Sequence, residues 1–227
     1  MEEATQAETT TEERRIPLSR DRVLQVAIEL ADRGGVEALS MRKLGQELGV
    51  DAMALYRHVR NKDDLLDGLV DAILTQIERP HTGEDWKASL RDQAMAARGV
   101  MLRHPWARKV LEDRGTGGPA SLDHIESALA ILRDGGFSLE LAHHALHVLG
   151  SRIFGFSQDL FEEGPDEPSP EMAAAQGRAL AAYPRVSELA QAASHEGVLG
   201  RCDDDIEFAF GLDLILDGLE KLRTRRR

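Results

Sequence analysis

Ser19, Ser40, Asp51 and Asn61 each stand directly before a short segment of helical periodicity. Side chains of this kind accept hydrogen bonds from the free N–H groups that open a helix, so this punctuation commits the first third of the chain to a cluster of short helices. Behind Ser19, with Asp21 in the first turn where a negative charge suits the helix dipole, Val23, Ala27, Leu30 and Ala31 share one face until Gly34-Gly35. Ser40 opens a second helix through Leu48, with Leu44 and Leu48 inward and Gly45 leaving room for a neighbouring helix. Gly49-Val50 makes a tight turn, and Asp51 caps a third helix, about 52–58, with Leu55 inward. Asn61 begins a longer helix in which Leu66, Leu69, Val70, Ile73 and Ile77 recur at helical spacing until Pro80 stops it.

The same period continues downstream. Trp86, Leu90, Ala94, Ala97 and Met101 form one face of a helix from Asp85 to Arg103, followed by a short turn over 106–111. The glycine-rich stretch from Gly115 to Pro119 lacks the preceding strand and the residue order of a phosphate cradle, so it reads as a connector. Helices over 120–134 and from Ser138 to about Glu162 flank Gly135-Gly136, and the proline-rich 164–170 reads as an exposed loop. Alanine-rich helix, interrupted at Pro184, precedes a last helix over about 203–222. There Phe208, Leu212, Ile215, Leu219 and Leu222 make one face, while Ile206, Phe210, Leu214 and Leu216 spread apolar surface further round. A helix of that kind needs cover on more than one side, inside a monomer core or, the better fit, at a dimer interface. Aromatic residues are only 4% and β-branched alternation is scarce, so the expected fold class is all-α.

With 227 residues and 42% hydrophobic content the chain can bury a sizeable core. No apolar run approaches the ~20 residues of a membrane span, and the opening MEEATQAETTTEER is acidic and polar, so a cytoplasmic protein without membrane contact is expected. The single cysteine, Cys202, cannot form an internal disulfide and is too little for a cysteine-rich zinc cluster. A net charge of −12 argues against nucleic acid until its distribution is considered. Residues 1–13 hold five acids and no base, residues 14–62 hold ten bases and six acids, and the remainder is strongly acidic. One short basic segment before an acidic body is the asymmetry of a chain that meets DNA at one end only.

That basic segment is also the segment with two short helices joined through a glycine turn, the parts of a helix-turn-helix. Arg42 and Lys43 lie on its first helix, and Tyr56, Arg57, His58, Arg60 and Lys62 cluster at the end of its second, where phosphates flank the groove. Ala52, Met53 and Ala54 open the second helix, where apolar atoms can touch thymine methyl groups. On residues alone the alternative is a solvated basic face on a helical bundle.

The run Ala38 to Gly45, the turn Leu48-Gly49-Val50 and the run Ala54 to Leu66 (ALYRHVRNKDDLL) resemble the DNA-binding domain of the TetR family in order and spacing, over about residues 18–75. The resemblance implies that Arg42, Ala52, Met53, Tyr56, Arg57, His58 and Lys62 touch DNA. It extends, more weakly, to the C-terminal domain of the tetracycline repressors, through Trp86 and Leu90, the run from Gly135 to Glu140 and the run from Phe210 to Lys221. It therefore implies an N-terminal three-helix DNA-binding domain over 16–62, preceded by a disordered arm over 1–15; whether that arm is merely disordered or helps grip a minor groove, for which Arg14, Arg15 and Arg20 are positioned, stays open in the sequence. A helical effector-binding and dimerisation domain would cover 63–227, pairing with a second copy through helices about 138–162 and 203–222. The implied partners are a near-palindromic double-stranded operator and a small-molecule effector. The family's metal-ligating histidines are replaced here by Leu111 and Ser151, so the expected effector is more apolar than magnesium-tetracycline, and no metal or cofactor is expected. Its pocket is expected among Leu90, Gln93, Ala97, Met101, Leu111, Leu129, His147, Ser151 and Phe154.

His143 and His147 sit one turn apart, with His144 and Glu140 nearby, but not in the order of a helical zinc hydrolase, so pocket-lining or structural roles are expected. A metal-dependent helical enzyme and an effector-free DNA-binding or scaffold protein are the competing classes.

Overall fold

The computed structural model describes residues 17–78, 85–115, 118–155, 171, 182–193 and 204–225. They form α1 (Arg20–Gly34), a 3₁₀ turn (Val36–Ala38), α2 (Met41–Leu48), α3 (Ala52–Leu55), α4 (Lys62–Leu74), α5 (Trp86–Arg103), α6 (Ala107–Arg114), α7 (Pro119–Asp134), α8 (Leu139–Phe154), α9 (Pro184–Ala193) and α10 (Asp204–Arg225). No strand occurs among them, and the fold is all-α as the periodicity anticipates. The N-terminal arm, Pro80, the loop 164–170 and Cys202 lie outside the described residues.

The chain divides into two compact units between Ala72 and Ile73. In the first, every anticipated cap is made. Ser19 accepts from the Arg22 N–H at 3.2 Å, Ser40 from Lys43 at 3.2 Å, Asp51 from Met53 at 2.7 Å and Asn61 from Asp64 at 2.8 Å. Each such cap contributes about 1 kcal/mol to its helix. Val23, Ala27, Leu44, Leu55, Val59, Leu65 and Leu69 are packed out of solvent between the four helices.

Two expectations for this unit are corrected. The fully buried residue at the start of α4 is Leu65, with Leu66 half-buried, because the register is set by α1. Regular α3 ends at Leu55, and the His58 N–H turns back to the Leu55 carbonyl at 2.8 Å, since Tyr56 and Arg57 offer nothing to bury. The head of α4 is tied to α1 within the first compact unit, which runs to Ala72. Arg20 donates to both Asp64 carboxylate oxygens at 3.2 Å and to the His58 carbonyl at 2.8 Å, so its guanidinium is a clamp within the unit.

In the second unit α5 packs against α7, α8 and α10. Trp86 at its start meets Phe137 edge to face at 4.6 Å, and Arg223 from α10 lies over both rings while donating to the Gly135 carbonyl. Three ion pairs run antiparallel along the α5–α10 seam: Lys87 with Asp217, Arg91 with Asp213 at 2.8 Å, and Arg98 with Asp205 at 2.7 Å. The stretch expected to be a short turn over 106–111 is α6, a helix whose Trp106, Ala107, Val110 and Leu111 are buried at helical spacing. On α10 the inward face is Phe208, Leu212, Leu216 and Leu219, with Ile215 half-buried and Leu222 exposed. The i, i+4, i+8, i+11 series wins because it follows the 3.6-residue period along the whole helix. Ile206, Phe210 and Leu214 form a second, exposed apolar stripe on α10.

Candidate nucleic-acid interface and ligand cavity

The turn between α2 and α3 depends on two glycines. Gly49 takes the left-handed conformation at φ 66°, ψ 32°, where a side chain is strained, and its N–H closes the C-terminus of α2. Gly45 lets the backbones touch: a Cβ there would stand 2.9 Å from the Val50 carbonyl oxygen and 3.2 Å from the Ala52 nitrogen. Leu55 is then the residue that anchors α3 in the core, and the rest of that short helix faces outward.

The result is a continuous set of accessible side chains. Met53 is 72% exposed and Tyr56 44%, Arg42, Arg57 and Lys62 are exposed, and Ala52 and His58 are half-buried. The structure thus brings the seven residues singled out for DNA onto α2, α3 with its following turn, and the head of α4. Asp64, which the sequence reading did not single out, positions that head. Its side chain is only 13% exposed, and besides Arg20 it accepts from the Arg60 backbone N–H at 2.8 Å. The Arg20 guanidinium first, and then that N–H, hold its carboxyl well below the usual carboxylate range.

Described residues of the second unit line two adjoining cavities. One, of about 340 Å³, is walled by α5, α7 and α8, and of the residues named for a pocket Leu90, Gln93, His147 and Phe154 line it. The other, of about 660 Å³, shares His124, Ile125, Gly150 and Phe154 with the first and is lined by Leu111 and Ser151. Met101 lines a smaller recess of about 60 Å³ that shares Arg108, Ser151 and Gly155 with the larger cavity. Ala97 is fully buried in the helix packing and Leu129 is half-buried, and neither lines these spaces. The reading missed His124 and Ile125, which look into both cavities from α7. The spacing of His124 and Ala128, a polar and a small residue one turn apart on an apolar helix, is the signal that marks this wall.

The polar groups of the cavity are few. Gln93 is 2% exposed, and its amide nitrogen faces the His124 Nδ1 and carbonyl, both at 3.3 Å, leaving Oε1 without a partner. The Ser121 hydroxyl, lining the larger cavity, is likewise buried and unpartnered. His143 and His147 stand with ring centroids 4.5 Å apart and both line the smaller cavity. Among the described residues no group of three or more His, Cys, Asp or Glu is gathered to hold a metal. No described helix is long and apolar enough to cross a membrane.

Residues 23–69 match the family of bacterial regulatory proteins known as the tetR family, and residues 79–223 match the tetracyclin repressor-like C-terminal domain. The HTH-type transcriptional repressor DrrR1 of Streptomyces coeruleorubidus is 33% identical over 227 residues, covering 92% of this chain and 80% of that one. The class C tetracycline repressor of Escherichia coli is 30% identical over 211 residues, covering 91% and 92%. The structure of the TetR family protein ActR of Streptomyces coelicolor in complex with (S)-DNPA superposes with a TM-score of 0.67 at 30% identity, over 90% of this chain and 98% of that one. Proteins of this kind bind operator DNA, dimerise and bind small-molecule effectors, and are in general regulators rather than enzymes. With a glycine-turned pair of helices presenting cations at one end and a cavity in the other unit, this chain belongs to the tetR family and is a helix-turn-helix transcriptional repressor.

Proposed function

We propose that the chain acts as a homodimer on a near-palindromic operator and that a small, largely apolar effector entering the second unit releases it. The observation that carries this reading is the accessible set on the helix-turn-helix. Arg42, Tyr56, Arg57, His58 and Lys62 would meet phosphates and groove edges, while Ala52 and Met53 offer apolar contact to the bases. On this reading residues 16–62 carry the DNA contacts and 63–227 the effector and dimer functions. The dimer forms through α8 and α10, where Leu139, Val148, Ile206, Phe210 and Leu214 are apolar and exposed.

An effector releases DNA only by binding one arrangement of the protein better than another. The cavities of 340 and 660 Å³ support such a ligand, their size being that of ordinary small-molecule sites. Leu111 and Ser151, which offer no imidazole, make magnesium-tetracycline a poor fit. The protein is not an enzyme on this reading, and it works in the cytoplasm, where its operator is.

The test is selection of bound sequences from a random DNA pool by the purified full chain at stated salt, with its mass in solution measured alongside. The expected product is a palindrome whose half-sites lie about one helical turn apart, roughly 34–36 Å. A folded protein that enriches no sequence would overturn the reading.

A further inference from the structure

We propose that the effector is an amphipathic organic acid, its apolar body in the cavities between α5, α7 and α8 and its carboxylate held by Arg108. The inference rests on the effector reading above and specifies its ligand. Arg108, on α6, is half-buried and lines both the 660 Å³ cavity and the neighbouring 60 Å³ recess. It makes no ion pair or hydrogen bond among the described residues, and Glu112, one turn on and lining the same cavity, does not close one with it. A guanidinium partly withdrawn from water without a counter-charge is an unfavourable state that a bound anion relieves.

Two more guanidinium groups reach the recess. Arg98 is only 12% exposed and pairs with Asp205, but its Nε is buried without a partner. Arg152 donates to the Glu207 carbonyl at 2.6 Å and lies over the Phe208 ring, meets no carboxylate among the described residues, and also has an orphaned Nε. Against these three cations stand Asp205, already paired with Arg98, and Asp204, which lines the recess. Guanidinium groups match a planar two-oxygen anion through paired N–H donors. A recess of 60 Å³ admits a carboxylate but not a ring, whereas the cavity of 340 Å³ beside Ile125, Leu146 and Phe154 accepts an aromatic body. Ser151 and Gly155 line both the recess and the larger cavity, so the anionic and apolar ends of one molecule reach both.

The test titrates the full chain at fixed ionic strength with three aromatic acids of graded size, 2-naphthoate, 1-naphthylacetate and 1-pyrenebutyrate, each beside its primary carboxamide. At least one acid is expected to bind about tenfold or more tightly than its amide. Arg108→Gln is expected to erase that preference while the solution mass, thermal midpoint and operator affinity stay as in the parent. The exposed Arg103→Gln is expected to keep it. Should Arg108→Gln fold poorly, Arg108→Lys serves instead, keeping the charge but losing the fork, with a reduced preference expected. No preference for any acid, or a preference that survives at position 108, overturns the proposal. Release of operator by the amides but not the acids sinks this proposal and leaves the effector reading intact. Acid-selective binding that leaves operator affinity unchanged supports the site and counts against the effector reading.

Discussion

The two units treat their buried polar groups in opposite ways. In the first, the caps at Ser19, Ser40, Asp51 and Asn61 are all made, and Asp64 gathers Arg20 and the Arg60 N–H. In the second lie all of the described buried side-chain atoms without a partner: Gln93 Oε1, Ser121 Oγ, and the Nε of Arg98, Arg152 and Arg223. A unit whose shape is itself the signal to DNA gains from satisfying every group, because satisfaction fixes one arrangement. A unit that must take in a ligand holds groups in reserve, at a cost in its own stability.

The largest expected effect strikes the first unit where backbones touch. Gly45→Val drives a side chain into the Val50 carbonyl and the Ala52 backbone, which cannot move aside as a flexible side chain would. Overpacking of this kind costs about 1–3 kcal/mol of stability unless α3 shifts to relieve it, and such a shift is expected to lower operator affinity, measured by fluorescence anisotropy, by about tenfold or more. Unchanged affinity would mean that the first unit tolerates slack, and the contrast between the units would fall.

A smaller effect is expected at the clamp. Asp64→Asn removes the charge that Arg20 holds and should lower the stability of the first unit by about 1–3 kcal/mol in denaturant titrations followed by circular dichroism. The sign with pH follows from the lowered carboxyl. Because its folded pKa lies below the ordinary 3.8, its stabilising contribution is complete above that value and fades as pH falls below about 4. The parent should therefore lose first-unit stability on acidification more steeply than Asp64→Asn, and equal slopes would show that the clamp is not what acid breaks.

The smallest effect sharpens the contrast from the other side. Ser121→Ala deletes a buried hydroxyl without a partner, so ligand-free stability should stay level or rise by less than about 1 kcal/mol in calorimetry. A clear loss would show that the hydroxyl is satisfied and that the second unit holds less in reserve.

The same contrast explains what was legible beforehand. Caps and turns are local chemistry, written in a few neighbouring residues, and so the first unit could be read nearly residue by residue. The exchange of Leu65 for Leu66 came from across the core, where Arg20 and Leu24 of α1 decide which side of α4 is covered. Cavity walls depend on how several helices meet, and there periodicity only narrows the choice. Of the residues it named, Leu90, Gln93, His147 and Phe154 line the smaller cavity and Leu111 and Ser151 the larger, Ala97 and Leu129 line neither, and His124 and Arg108 were not named. Arg108 was hidden because α6 read as a turn, and a turn has no inner face to present.

The brevity of α3 has a consequence for descent. One residue of that helix, Leu55, is buried, and Met53, Tyr56 and Arg57 beside it are exposed. Substitutions at such exposed positions shift stability by only about 0.5 kcal/mol. If those positions carry the DNA contacts proposed above, the address a repressor reads can drift through them after a gene duplication while the fold and the ligand cavity are inherited unchanged. Diversification of operators is then nearly free of any folding barrier, and new regulators can arise by rewriting a single helical turn.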